Sequence, residues 1–72
     1  MKISYKKLWK ILIDKEMTRS DLRQMTGIST TSIAKMGKGE NIQTDVLLRI
    51  CKALNCDITE IMETEHDEND IL

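Results

Sequence analysis

Apolar residues recur along this chain at helical spacing almost from its start, and the breaks between them fall at residues that cap helices. Leu8, Ile11, Leu12 and Lys15 follow the i, i+3, i+4, i+7 spacing of one face, and Ser4 stands ahead of them as a cap. This predicts a first helix from Tyr5 to about Lys15. A second stripe, Tyr5, Trp9 and Ile13, lies beside the first and widens the apolar arc. It either wraps a small core or offers a surface to a second copy or a partner.

Thr18, with Asp21 three residues on, marks the start of a second helix over about Arg19–Thr26. Gly27 ends it, since glycine takes a left-handed backbone without steric penalty. Ser29 then opens a third helix over about Thr30–Met36, with Leu22, Met25, Ile28, Ile33 and Met36 predicted to face inward. Gly37–Asn41 reads as a flexible loop. A fourth helix starts near Gln43 or Thr44, carries Asp45 in its first turn, stacks Leu47, Ile50, Cys51 and Leu54, and closes near Asn55. Asp57 and Glu60 have capping-box spacing, which predicts a short fifth helix to about Met62 with Ile58 and Ile61 inward.

With 72 residues, no proline and no phenylalanine, the chain allows one small core of helical composition. The expected fold is all-α, a compact five-helix domain over residues 1–62. Residues 63–72, ETEHDENDIL, are acidic and polar and are expected to stay disordered.

The net charge of −1 is unevenly placed. Without the tail, eleven basic residues face seven acidic ones, and Met1–Lys38 holds nine basic against three acidic. A basic body suits a polyanionic partner. The two capped helices around Gly27 then read as a helix-turn-helix, whose second helix begins with the small hydroxyl residues Thr30, Thr31 and Ser32. Hydroxyls there either serve helix initiation alone or meet phosphates and base edges.

Catalytic chemistry has little to work with, so no enzyme and no cofactor is expected. His66, the single histidine, lies in the tail away from any cysteine, so no metal site is expected. Cys51 and Cys56 read as reduced, inert thiols; an enzyme built on them requires an exposed thiolate of low pKa. No apolar run is long enough to cross a bilayer, and the chain is expected to be cytoplasmic.

Leu22, Gly27, Ile28, Ser29, Ile33 and Met36, followed by Leu47-Leu48-Arg49-Ile50-Cys51-Lys52-Ala53-Leu54, resemble the Cro/C1-type helix-turn-helix repressors in order and spacing from about Leu8 to Met62. That resemblance implies a lambda-repressor-like fold and a small transcriptional regulator, a repressor, that binds double-stranded DNA in a sequence-specific manner. It places base contacts at Thr30, Thr31 and Lys35, and phosphate contacts at Arg19, Ser29, Ser32, Lys38 and Asn41. Three departures stand out. Arg23 and Thr26 replace a small and an apolar residue, Leu12 and Gly37 stand where many relatives hold a buried Arg–Glu pair, and Ile42 replaces a loop proline.

One recognition helix makes too few contacts for tight operator binding, so a homodimer is expected, joined through Tyr5, Trp9 and Ile13 or through helix five with Ile71 and Leu72. The rival reading is a protein-interaction module of the same fold, an antitoxin-like or anti-repressor partner using the stripe of helix one.

Overall fold

The chain enters through a short strand: in the computed structural model, which describes residues 1–66, β1 (Lys2–Ser4) precedes α1 (Lys6–Asp14). Ser4 therefore does not cap the first helix. Tyr5 takes the N-cap position, and the Ser4 hydroxyl accepts the Lys6 N–H at 3.3 Å. At the other end the Met17 N–H reaches back to the Leu12 carbonyl at 2.8 Å, with Glu16 in the left-handed region at φ 56°.

α2 (Arg19–Thr26) begins with the expected box: the Thr18 hydroxyl accepts the Asp21 N–H at 3.0 Å and the Asp21 carboxylate accepts the Thr18 N–H at 2.9 Å. Gly27, at φ 71°, ends α2, and α3 (Thr30–Gly37) follows after the Ser29 cap. Gly39 is also left-handed, and the Glu40 N–H bonds to the Lys35 carbonyl at 3.0 Å, so hydrogen bonds shape the segment after α3. α4 (Thr44–Leu54) closes on Asn55, again left-handed.

The fifth helix is corrected to a single 3₁₀ turn, Ile58–Glu60. Its predicted box forms, with Asp57 and Glu60 each capping the other's backbone. One turn is all it closes, because Ile61 drops into the core and the chain extends into β2 (Glu63–Glu65). β2 pairs antiparallel with β1, in the register Lys2 to Glu65, Ile3 to Thr64 and Ser4 to Glu63.

The all-α expectation thus gives way, among the described residues, to four α-helices and a two-stranded sheet. The expected disorder of the tail is corrected at Glu63–Glu65. Residues 67–72, which include Ile71 and Leu72, lie outside the described residues. Ion pairs accompany the strand pairing: Lys6 to Glu65 at 3.3 Å, Lys7 to Glu63 at 3.8 Å and Lys2 to Glu65 at 3.9 Å.

The core unites Leu8 and Leu12 of α1, Leu22 of α2, Ile28, Met36 of α3, Leu47, Ile50, Cys51 and Leu54 of α4, and Ile61. α2 packs against both α3 and α4. Tyr5 joins this core at 2 % exposure and donates its hydroxyl proton to the Glu40 carbonyl at 3.3 Å. Met25, predicted to face inward, is instead 54 % exposed. Leu22 is the buried residue of α2, and Met25, one turn on, faces solvent.

Candidate nucleic-acid interface

The local chemistry that builds α2 and α3 also fixes what they present. Thr26, at the place of an apolar residue, donates its hydroxyl proton to the Leu22 carbonyl at 2.8 Å and accepts the Ile28 N–H at a long 3.4 Å. The polar side chain ties off the end of α2 and steers the chain into the turn. Arg23 is exposed, so its charge lies outside the contact between the two helices.

On α3, the Ser29 hydroxyl is occupied with the helix start. It accepts the Ser32 N–H at 3.1 Å and donates its own proton to the Ser32 hydroxyl at 3.1 Å. Ser32 is then the member of the pair whose proton is available to an acceptor outside the protein. Thr30 and Thr31 are both exposed in the first turn, and Lys35 follows Thr31 by four residues on the same face.

A groove joins these residues to the start of α4. Ser29, Thr31, Ser32 and Lys35 line one wall, and Asn41, Ile42, Gln43 and Val46 line the other. The fold therefore brings Asn41 beside α3, while Thr30 lies outside this groove, exposed at the start of α3. Gln43, which the sequence marks only as a possible start of α4, also lines this groove. It stands at the N-cap of α4 without making a side-chain cap hydrogen bond, and a glutamine at a cap position where Ser, Thr, Asp or Asn is favoured was the available signal.

Arg19 and Lys38 lie apart from that groove. The Arg19 guanidinium sits 3.9 Å over the Trp9 ring, and a side chain at Gly37 would come within 3.3 Å of its Nη1. Gly37 leaves the space that Arg19 occupies. Lys38 lines a second hollow together with Lys2, Lys6, Trp9, Gly37 and Glu65. The Lys6 ammonium beside it, with help from Ser4, holds the Glu65 carboxyl below its ordinary value. Lys2, Lys6 and Lys7 are thus engaged by the acids of β2, and the basic balance of the N-terminal half is smaller at the surface than in the sequence.

The apolar stripe proposed as a partner surface is broken up. Tyr5 is buried, Trp9 is half-buried beneath Arg19, and Ile13 is exposed at 73 %. Among the described residues no group of His, Cys, Asp and Glu is placed to hold a metal ion, and no helix is long and apolar enough to cross a membrane. Burial pushes both the Cys51 and Cys56 thiols up, the reverse of what a nucleophilic thiolate requires.

Two short helices crossing at a left-handed glycine, with an exposed hydroxyl-rich helix start, match a known domain: the model of the Cro/C1-type HTH DNA-binding domain fits residues 7–67. The chain belongs to this family. It is 36 % identical over 61 residues, 82 % of this chain and 73 % of the relative, to the uncharacterized HTH-type transcriptional regulator YozG of Bacillus subtilis (strain 168). Its structure also resembles the crystal structure of transcriptional regulator VanUg, Form II, at a TM-score of 0.88 and 47 % identity, covering 92 % of this chain and 88 % of that one. As a Cro/C1-type domain, the chain is a DNA-binding module of the regulator class, with α2 and α3 as its helix-turn-helix.

Proposed function

We propose that this protein is a cytoplasmic repressor that binds a specific duplex sequence as a homodimer and catalyses no reaction. α3 enters the major groove with Thr30, Thr31 and Lys35 toward base edges. A threonine hydroxyl gives or takes a hydrogen bond, its methyl meets a thymine methyl, and lysine reaches guanine O6 and N7. Ser32, Lys38, Asn41, Arg19 and the backbone at Ser29 contact phosphates on either side, which fixes register and makes binding salt-dependent.

The observation that carries this reading is the groove in which Thr31, Ser32 and Lys35 of α3 face Asn41 and Gln43 across the start of α4. Base-reading and phosphate-holding side chains share one surface there. The rival reading, a protein-interaction module using the stripe of α1, is weakened by the burial of Tyr5 and by Arg19 over Trp9.

Selection of bound sequences from a random duplex library tests the proposal. The expected product is an enriched site with two inverted half-sites about 34 Å apart, the spacing of successive major grooves. A pool with no enrichment, bound equally at all salt concentrations, would overturn it.

A further inference from the structure

The two cysteines meet because of how α4 ends. Asn55 is left-handed at φ 53°, the Cys56 N–H bonds to the Cys51 carbonyl at 3.0 Å, and the Asn55 N–H bonds to the Lys52 carbonyl at 3.4 Å. These paired bonds form a Schellman ending, which brings the side chain after the left-handed residue against the one five positions earlier. In most helices that contact joins two hydrocarbon side chains. Here it joins two thiols, each close enough to shift the titration of the other.

Both cysteines are free, and both line an open cleft with Leu48, Ile58 and Glu60. Their exposures differ: Cys51 is only 8 % exposed, whereas Cys56 is half-buried. An apolar contact alone explains neither the cleft nor the matched pair of reactive atoms within it.

We propose that Cys51 and Cys56 are a reversible dithiol–disulfide site, closed within one chain by a small disulfide oxidant such as oxidised glutathione. Cys56, the more accessible, attacks the oxidant sulfur as its thiolate, forms a mixed disulfide and releases one glutathione thiol. The Cys51 thiolate then attacks the Cys56 sulfur and expels the second. Two S–H bonds are lost and one S–S bond forms inside the protein. The two electrons and two protons end on two molecules of glutathione. Burial foremost, with the Glu60 carboxylate adding to it, holds both thiols protonated, so the exchange is slow at neutral pH and quickens as pH rises.

The test treats the folded, reduced chain with oxidised glutathione while circular dichroism confirms native structure. The expected product is a monomer lighter by two hydrogens. Trypsin cleaves after Lys52, between the two cysteines, so the fragments carrying Cys51 and Cys56 should travel together until a reductant separates them. Cys56→Ser should react with oxidised glutathione more slowly than the native chain, because only the buried thiol remains. A stable glutathione adduct on Cys56, a cross-link between two chains, or no reaction until the protein is unfolded would each overturn the proposal.

Discussion

The guanidinium of Arg19 lies 3.9 Å over the ring of Trp9, so the first residue of α2 is held by a side chain of α1. A cation over an exposed aromatic face contributes about 0.5–1 kcal/mol. The contact also restricts where the guanidinium can reach, which matters for a group at the N-terminus of a helix expected to cross a DNA backbone. Arg19→Ala is therefore expected to lower stability by about that amount in urea unfolding. In a salt titration of DNA affinity it should flatten the slope by about one unit. Loss of stability with an unchanged slope would make Arg19 a structural residue only.

The proposed DNA contacts are of two kinds, to base edges and to phosphates. Thr31→Ala and Lys35→Ala are expected to cost about 1–3 kcal/mol on the preferred sequence and far less on others. Lys38→Ala should weaken all duplexes alike. Affinities on matched and scrambled duplexes at one salt concentration distinguish these patterns.

Backbone conformation predicts three stability changes of different sign. Glu16 holds φ 56° with a side chain that disfavours it, so Glu16→Gly should raise stability by about 0.5–1 kcal/mol. Gly27→Ala meets nothing within 4 Å and suffers only the left-handed penalty, about 1–2 kcal/mol. Gly39→Ala meets the Ile3 carbonyl of β1 at 3.0 Å in addition. It should be the more damaging of the two, as urea midpoints would show.

Acid should open the sheet before it opens the core. The Lys6 ammonium keeps the folded Glu65 carboxyl below its ordinary value of 4.5. A carboxyl with a depressed folded pKa supports the fold fully above the unfolded value and loses that support as pH falls through the folded one. Amide exchange along the paired strands β1 and β2 should therefore quicken below about pH 4.5 while Leu8 and Ile50 stay protected. Glu65→Gln should show faster exchange already at neutral pH. Equal exchange in the variant and the native chain would remove Glu65 from the account of the strand pair.

The sequence read best where one residue decides its own neighbourhood. Thr18 with Asp21, Gly27 and Ser29 act through hydrogen bonds and dihedrals within four residues, and α2 and α3 start where those residues require. The Asp57–Glu60 box formed as well, yet the helix expected after it did not. A cap can start a turn, but Ile61 is 0 % exposed and draws the chain inward before a second turn forms.

Long-range partners were not legible in the same way. Lys2–Ser4 and Glu63–Glu65 are three residues each, rich in charge and poor in strand-forming residues, and they pair only because the fold brings both ends of the described chain together. Tyr5 shared helical spacing with Trp9 and Ile13, and spacing alone could not tell a core tyrosine from a surface one. The approach of Glu40, whose carbonyl accepts the Tyr5 hydroxyl, decided it.

The sequence by itself thus determined the helix-turn-helix, its caps and its hydroxyl-rich first turn, because these rest on short-range backbone chemistry. Tertiary structure alone decided that Asn41 and Gln43 face Lys35, that Arg19 rests on Trp9, and that acids of β2 engage the N-terminal lysines. Each of those depends on groups distant in the chain, and only packing around a shared core sets the distances between them.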